Sequence, residues 1–431
     1  MSPPTTRHPG RADLATPIRH ACDNTQELPM PAAPALPRRY DLDWLRIIAF
    51  GLLILYHSGM FYVTWDWHVK SVHAGPDAEA MMLLLNPWRL SLLFFISGVA
   101  LRFAADKLGG GRLARERTVR LGLPILFGMA VIVAPQSWLQ LVESGEFSGS
   151  FWAFWPQYID FGSDFSITTP TWNHLWYVVY LLVYTLLIAP FAGRIARFMQ
   201  GAGARATRML FSGKWGVVSI LVLPVFPHVL YRLTLDPHFP TTHDLTHDWA
   251  NHAHSLTMLL LGFVLAKDPH FWAAIRRALP AAILSALLLG TGLSALWAHW
   301  EALSVSGDWN GIIWPARMAR LAYAWVAIVT LLALAQRFLN RPSRALTYLT
   351  EAIFPWYILH QTLTVMLGFW LTRQNLPAGG EAVLVIGGTF AGCALLHELF
   401  IRRIAFLRPL FGLKPARASR LPRKVNAAGT V

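Results

Sequence analysis

The stretch DWLRIIAFGLLILYH, residues 43–57, decides the fold class, because it is an apolar helical sequence that also carries an arginine and a histidine. Its apolar character is typical of a membrane-spanning helix, which needs roughly 20 residues to cross the hydrocarbon core. The whole chain has the same character, since 55% of its 431 residues are hydrophobic and only 14% are charged. This composition excludes an ordinary soluble protein and predicts an all-α, polytopic integral membrane protein.

Ten apolar stretches are candidates for membrane spans. They are 44–64, 82–101, 121–140, 174–193, 216–233, 252–266, 278–299, 318–336, 346–370 and 382–401. The two weakest are 216–233, which Pro224 and Pro227 interrupt, and 252–266, which is short and begins with polar residues. We therefore expect about ten transmembrane helices in a single domain, 39–408, between a disordered tail, 1–38, and a basic tail, 409–431.

The net charge of +14 has a topological explanation. Thirty of the 37 Lys and Arg lie in the two tails and the even-numbered loops, whereas the loops of the opposite face hold four: Lys70, Arg232, Arg317 and Arg373. The positive-inside rule then predicts cytoplasmic termini in a plasma (inner) membrane protein. The partner of the basic residues is the lipid bilayer, and no nucleic-acid partner is needed.

Three arginines are left within or at the edge of spans: Arg46, Arg89 and Arg320. Arg46 and His57 are eleven residues apart, so on a helix they share one face at a separation of about 16 Å. Ionisable residues inside a membrane usually face the protein interior or a water-filled cavity. Either Arg46 snorkels to the headgroups and His57 satisfies a helix–helix hydrogen bond, or both line a tunnel with an anion clamp at its mouth and a proton acceptor deeper in. Arg89 and Arg320 either line the same cavity or pair with acids such as Glu351 or Glu398.

Several ordered motifs resemble those of the acyltransferase-3 family of membrane acyltransferases. Arg46 and His57 follow LDW at 42–44, FFISG at 94–98 lies in the second span, and RTVR at 117–120 lies in the basic loop after it. Further segments are similar to the branch of this family that succinylates osmoregulated periplasmic glucans: WHVKS at 67–71, HLWYVVYL at 174–181 and FPWYILHQ at 354–361.

The resemblance implies that a small acyl group, succinyl or acetyl, passes from cytoplasmic acyl-CoA to a hydroxyl of an extracytoplasmic glycan, most closely a periplasmic glucan. Acyl-CoA would be the donor substrate, with no tightly bound cofactor. CoA carries phosphates, which arginine recognises through its planar fork of donors. The candidate acyl-CoA-binding residues are therefore Arg117, Arg120 and Arg89, although basic residues in a loop also serve membrane topology. Arg46 would either bind phosphate or polarise the thioester carbonyl.

A hydroxyl is a poor nucleophile at neutral pH, so its attack on a thioester benefits from a general base such as histidine. His57 is the first candidate, and both direct transfer and an acyl-histidine intermediate fit the sequence. Many relatives carry a glutamate in the fourth-span motif, but the corresponding segment here, TWNHLWYVVY, has no acid. If that glutamate orients the catalytic histidine in relatives, His174 or His360 is the candidate for the role here.

Two outer segments bear on the acceptor. Residues 147–172 are rich in aromatic side chains, on which sugars stack and which also form interfacial belts in membrane proteins. Residues 236–254 are rich in His and Asp, but they lack a recognised zinc pattern, so we expect a polar lining of the acceptor cleft and no metal site. Cys22 and Cys393 are the only cysteines, which excludes a disulfide framework.

Two alternatives of function remain at this stage. One is an O-acetyltransferase that acts on another envelope polysaccharide or a lipid-linked sugar. The other is a transporter of an anionic or acylated solute, because internal Arg and His residues also suit transport. Transport predicts inverted repeats with discontinuous helices, and the sequence shows one candidate broken helix and no internal symmetry. The oligomeric state, the acyl group and the acceptor stay open.

Overall fold

The computed structural model describes residues 38–162, 164–306 and 309–415. Within these ranges the chain is helical and contains no strand, which confirms the all-α class. From Arg39 onward the described residues form one compact unit. Residues 1–37 of the tail 1–38 and most of the tail 409–431 lie outside the described residues, so the character of both tails stays a prediction.

Seventeen α-helices follow one another along the described chain. They are α1 (Tyr40–Met60), α2 (Glu79–Leu108), α3 (Gly110–Phe127), α4 (Ala134–Glu143), α5 (Phe151–Ile159), α6 (Trp176–Ile188), α7 (Ala192–Gln200), α8 (Ala202–Phe211), α9 (Gly216–Val222), α10 (Phe226–Thr234), α11 (Trp249–Leu265), α12 (Pro269–Ala298), α13 (Trp300–Ser306), α14 (Trp309–Phe338), α15 (Arg344–Leu371), α16 (Ala378–Leu396) and α17 (Leu407–Leu410). A π-helical turn, Gly128–Val133, joins α3 to α4 without a break.

Nine segments of the described chain are long and apolar enough to cross a membrane. They are Tyr40–Met60, Pro76–Leu108, Gly110–Glu143, Asn173–Gln200, Gly216–Thr234, Pro269–Ala298, Gly311–Phe338, Arg344–Leu371 and Ala378–Ile401. The remaining predicted span, 252–266, corresponds to α11, which has 17 residues, fewer than the roughly 20 of a typical crossing. The polytopic class is thus confirmed, with nine full-length candidates among the described residues where ten spans were predicted.

The segment 102–120, predicted as a basic loop, is helical, and that part of the prediction was wrong. α2 continues to Leu108 and α3 begins at Gly110, so Gly109 alone makes the turn between them with φ of +71°. Glycine suits this position because it has no Cβ to clash in the left-handed region. Hydropathy marks only the apolar part of a helix, whereas Arg and Leu have good helix propensity and continue α3 beyond it. Arg117 and Arg120 therefore lie on a helix.

The weak span 216–233 is interrupted, as predicted. A short 3₁₀ turn, Leu223–Val225, separates α9 from α10, and it contains Pro224. Proline lacks a backbone N–H and cannot continue the hydrogen-bond ladder of a helix.

α2 and α11 cross at two glycines. A Cβ placed on Gly98 would lie 1.9 Å from the carbonyl oxygen of Leu259, and one on Gly262 would lie 2.0 Å from that of Phe95. Small residues let helix backbones approach closely in membranes. Gly98 is the last residue of the FFISG motif, so this motif serves helix packing.

One end of the helical bundle gathers basic segments that are distant in the chain. Arg39, just before α1, lies over the ring of Trp272 in α12 with its Cζ 3.8 Å from the ring centroid. Lys267 pairs with Asp106 of α2 at 2.6 Å. We call this the basic end, and α1 begins there.

The opposite end, which we call the acidic end, is joined by contacts of another kind. Arg373 pairs with Glu143 at 2.5 Å, which connects the end of α15 to the end of α4. Ser71, in the connection after α1, donates a hydrogen bond of 2.5 Å to Glu381 of α16. α1 thus runs from the basic end towards the acidic end, packed by α2, α14, α15 and α16.

Candidate active site

A cavity of about 920 Å³ lies among the helices and reaches the loops of the acidic end. Its walls come from α1, α2, α6, α10, α11, α14 and α15, and from the segments 66–68, 171–174 and 239–243. His57 and His174, two of the predicted site residues, line it, and so does Arg89. The cavity therefore gathers residues from the first, second and fourth predicted spans around one space.

Three histidines from three helices meet beside this cavity. Nδ1 of His57 in α1 lies 2.7 Å from Nε2 of His360 in α15, and the two rings stack at a centroid distance of 5.0 Å. The ring of His174, in the turn before α6, stands edge-on to both, at 5.1 Å from His360 and 6.5 Å from His57. The fold thus brings all three predicted histidines together, and His360 is the one that contacts His57.

The hydrogen bonds assign the tautomers of the histidine pair. Nδ1 of His360 lies 2.6 Å from the carbonyl oxygen of Tyr357, and a carbonyl can only accept, so this nitrogen carries a proton. In a neutral His360 the other nitrogen, Nε2, is then an acceptor, and it takes the Nδ1–H of His57. Nε2 of a neutral His57 then carries no proton, so its lone pair can accept one, and His57 lines the cavity. This arrangement is that of a positioned proton acceptor.

His174 is held by a buried glutamine. Its Nε2 donates to the carbonyl of Ile358 at 3.1 Å, which leaves Nδ1 to accept from Nε2 of Gln136 at 3.5 Å. Gln136 is fully buried and also donates to Thr362 at 2.6 Å. The hydroxyl of Tyr357 donates to the backbone carbonyl of His174 and so fixes the turn before α6 against α15.

A fourth histidine, His68, belongs to the same network. Its Nδ1 donates to Gln140 at 2.6 Å and its Nε2 accepts from Nε2 of Gln361 at 2.9 Å, which requires the neutral tautomer. Gln361 also donates to Oε1 of Gln136 at 3.0 Å. Burial lowers the pKa of His68 from its ordinary value of 6.5, because desolvation disfavours the charged form. The polar network is therefore built around neutral imidazoles.

Arg89 and Arg320 line the cavity, which settles the alternative left open by the sequence. Glu351, the acid considered as a partner, instead lies 3.3 Å from Arg408, and Glu398 lies 3.3 Å from Arg402. These ion pairs lie away from the cavity walls. Arg89 and Arg320 form no ion pair with a carboxylate of the described chain.

The other predicted arginines lie outside the cavity. Arg46 is near the start of α1 and contacts Asp43 at 3.5 Å. Arg117 and Arg120 lie on α3, and Arg46 and Arg120 are near enough for their charges to act on Arg117. Nε of Arg120 donates to the carbonyl of Gly412 at 3.3 Å, whereas Nε of Arg117 is buried without a hydrogen-bond partner. These three arginines form a separate group towards the basic end.

Three aromatic rings lie between the arginine group and the histidines. Phe50 is on α1, one turn after Arg46 and two turns before His57. Its ring centroid is 6.1 Å from that of Tyr177 and 5.1 Å from that of Tyr357, and all three rings are buried. Packed aromatic side chains therefore occupy the middle of the interval between Arg46 and His57, and the tunnel there stays a prediction.

The His- and Asp-rich segment 236–254 contributes part of the cavity wall. Asp236, His243 and His254 line it, whereas His247 is 77% exposed. Burial lowers the pKa of His243 from its ordinary value. In the part of the chain that the structure describes, no three His, Cys, Asp or Glu side chains are grouped so that they could hold a metal ion.

The aromatic segment 147–172 divides between two roles. Phe154 and Tyr158 of α5 are fully buried in a small core at the acidic end, where burial raises the pKa of the Tyr158 hydroxyl to about 12. Trp172 instead reaches the cavity, and its indole N–H donates to the carbonyl of His243 at 2.9 Å. Only the last part of the segment therefore lines the cavity.

Sequence reasoning missed the glutamines. Gln136 was counted only as part of a span, although a buried amide within an apolar helix is itself a signal of an internal polar site. Gln361 and His68 were within quoted motifs, FPWYILHQ and WHVKS, without a role of their own. These residues join the histidines through hydrogen bonds, and those bonds depend on side chains that only the folded chain brings together.

These features define a polytopic membrane protein in which a histidine pair is placed to move a proton beside a polar cavity. The chain belongs to the acyltransferase-3 family, whose model, described as Acyltransferase domain, matches residues 39–398. It is therefore a membrane acyltransferase. The resemblance inferred from the ordered motifs is confirmed.

Several curated proteins are similar over almost the full length of the chain. Glucans biosynthesis protein C of Escherichia coli O1:K1 is 23% identical over 417 residues, which cover 90% of this chain and 96% of that protein. The protein of the same name from strain K12 / DH10B is 24% identical over the same coverage. No solved structure matches the chain significantly.

Proposed function

We propose that the protein transfers a small acyl group, succinyl or acetyl, from acyl-CoA to a hydroxyl of an extracytoplasmic glycan, most closely a periplasmic glucan. The membrane is the inner membrane, with the basic end and both termini on the cytoplasmic side, as the positive-inside rule predicts. Acyl-CoA enters as a substrate, and the acceptor occupies the cavity that reaches the acidic end. The similarity to glucans biosynthesis protein C supports this choice of acceptor.

The observation that carries the proposal is the contact of His57 with His360. The lone pair on Nε2 of His57 accepts the proton of the acceptor hydroxyl while the hydroxyl oxygen attacks the thioester carbon. The imidazolium that forms keeps its Nδ1–H on Nε2 of His360. When the carbon–sulfur bond breaks, the leaving thiolate takes the proton from His57. The acyl ester and free CoA are the products, and the residues return to their starting state.

The donor side of the proposal rests on the arginines of the basic end. Arg46, Arg117 and Arg120 are grouped there, and arginine binds phosphate groups through paired donors. About 16 Å of helix separates Arg46 from His57. An acyl-CoA held by its phosphates at the basic end would extend its flexible arm past Phe50, Tyr177 and Tyr357 to reach His57.

The acceptor side rests on the composition of the cavity wall. Trp67, Trp172 and Trp176 line it, and such faces suit the apolar faces of sugar rings. Polar groups of Thr241, Thr242 and other residues of the same wall supply hydrogen bonds. A pocket with aromatic faces and a few polar groups is typical of a site for a specific small ligand or sugar unit.

The test is acyl transfer in proteoliposomes with labelled succinyl-CoA or acetyl-CoA and a glucan acceptor. Wild type should form labelled glucan, and His57→Ala should lose at least about 100-fold in rate, as expected for a lost general base. His73→Ala is the matched control, because His73 is an exposed histidine that bonds the carbonyl of Leu376. Equal thermal stability of the two variants excludes misfolding as the cause.

Full activity of His57→Ala would exclude His57 as the base. If no glycan accepts label from either donor while labelled anions cross the membrane, the protein is a transporter and the proposed reaction is wrong.

A further inference from the structure

Arg89 is a buried cation without a counter-ion. The residue is 6% exposed, and its Nε and Nη1 are buried with no hydrogen-bond partner. Among the described residues no carboxylate lies within ion-pair distance of Arg89 or of its neighbour in the cavity wall, Arg320. Burying an uncompensated charge is strongly unfavourable, so such a group is usually retained for a ligand of opposite charge.

A frame of neutral side chains fixes these arginines in place. Nη2 of Arg320 donates to Oδ1 of Asn86 at 2.9 Å, and Nδ2 of Asn86 donates to the hydroxyl of Tyr56 at 2.8 Å. The Cζ of Arg89 lies 3.2 Å from the centroid of the Tyr56 ring, which holds the guanidinium by a cation–π contact. Three helices, α1, α2 and α14, thus hold the two cations rigidly.

The frame is adjacent to the histidine pair. Tyr56 directly precedes His57, and their ring centroids are 6.2 Å apart. Arg89 is close enough for its charge to act on His57, and both line the same cavity. An anionic group bound to Arg89 would therefore be only a few covalent bonds away from a carbon of the same molecule that reacts beside His57.

A third arginine that lines the cavity, Arg232, differs from Arg89 and Arg320 because it has a counter-ion. Arg232 pairs with Asp236 at 2.7 Å, so its charge is already compensated within the protein. Both residues line the cavity. Among the described residues that line the cavity, the uncompensated positive charge therefore lies on the wall formed by Arg89 and Arg320.

We propose that Arg89 and Arg320 form a carboxylate subsite, which binds the free carboxylate at the far end of a dicarboxylic acyl group while its thioester carbon lies at His57. The planar fork of a guanidinium matches a carboxylate in geometry and charge. In a succinyl group two methylenes separate the carboxylate from the reacting carbonyl, a span that suits neighbouring subsites. The inference rests on the proposed acyl transfer and selects a succinyl-type group over an acetyl group.

The test compares succinyl-CoA with butyryl-CoA, in which a methyl group replaces the carboxylate on a chain of the same length. The measured quantity is the ratio of kcat/KM for the two donors with one glucan acceptor. Arg89→Gln should lower the ratio about 10- to 100-fold, the usual worth of a hydrogen bond to a charged group. Arg89→Lys should restore part of the ratio, because it keeps the charge and loses the fork.

The control is Arg373→Gln, which removes an arginine that lies outside the cavity and pairs with Glu143. Its ratio should equal that of wild type. A ratio that changes no more in Arg89→Gln than in Arg373→Gln overturns the subsite. If Arg89→Gln lowers kcat/KM equally with both donors, and does so with an anionic glucan but not with a neutral one, the carboxylate that Arg89 binds belongs to the acceptor. That result also overturns the proposal.

A binding experiment separates failure of the subsite from failure of the proposed reaction. Monomethyl succinate carries one carboxylate and dimethyl succinate carries none. The first should raise the thermal unfolding temperature of detergent-solubilised wild type more than the second, and this difference should vanish in Arg89→Gln. If no acyl transfer occurs but this difference is present, the reaction is wrong and the subsite stands. If wild type shows no difference, the subsite is wrong.

Discussion

Nδ1 of His57 lies 2.7 Å from Nε2 of His360, although 303 positions of the chain separate the two residues. The bond is directional, because the carbonyl of Tyr357 fixes the proton of His360 on Nδ1. One imidazole therefore positions and polarises the other. This contact favours His360 over His174 as the residue that would orient His57.

His360→Ala removes the acceptor of the His57 Nδ1–H and leaves the His57 ring free to rotate. We expect kcat to fall about 100-fold while KM changes little, since His360 acts on the base and not on the bound substrates. Steady-state kinetics in proteoliposomes measure the two constants separately. A rise of KM with an unchanged kcat would instead place His360 in substrate binding.

Gln136→Leu should destabilise the polar network. Oε1 of Gln136 accepts from the half-buried Asn173 at 3.2 Å and from the buried Gln361 at 3.0 Å, and the leucine would remove this acceptor from both, leaving Gln361 only its bond to His68. A lost partner on a buried polar group costs about 1–3 kcal/mol. Thermal unfolding in detergent measures the loss, with Gln157→Leu as the control, because Gln157 is exposed and bonds only within α5. An equal effect of the two substitutions would contradict the network.

His68 makes the stability of the protein depend on pH. Its folded pKa is lowered by burial from 6.5, so below about pH 6.5 the unfolded chain binds a proton that the folded site excludes. The free energy of unfolding should therefore fall as the pH drops below about 6.5, by at most about 1.4 kcal/mol per pH unit for one site. Unfolding curves at several pH values should show a shallower slope for His68→Gln.

The control for this pH dependence is His247→Gln, because His247 is 77% exposed and lies outside the network. It should keep the slope of wild type. A slope that is identical in all three proteins would show that His68 is not the group responsible.

Gly98→Ala should disturb the crossing of α2 and α11. The added methyl would lie 1.9 Å from a backbone oxygen, and backbone cannot move aside as a flexible side chain does. Overpacking of this kind costs about 1–3 kcal/mol. The yield of folded protein and its thermal stability should fall, whereas Gly51→Ala, which meets nothing within 4 Å, should not lower them. Equal stability of the two variants would show that the crossing adjusts freely.

Local sequence identified much of the candidate site before the fold was known. The eleven-residue interval between Arg46 and His57 placed both on α1, and the motifs around His174 and His360 marked the partners. The sequence did not show which histidine forms a hydrogen bond with His57, because that depends on where α15 lies against α1. It named Arg89 with Arg117 and Arg120 as candidates for binding acyl-CoA and left open whether Arg89 lines the cavity. The structure places Arg89 in the cavity wall and the other two towards the basic end.

What the sequence determined by itself is the class of protein, the approximate spans and the family, because hydrophobic length and motif order are properties of a linear chain. The sequence did not predict the helix ends, because Arg-rich segments remain helical beyond the apolar core, as α3 shows. Only the tertiary structure decided the hydrogen bond between His57 and His360, the buried amides of Gln136 and Gln361, and the uncompensated charge of Arg89. These depend on distances between residues far apart in the chain, and packing of the helices alone fixes such distances.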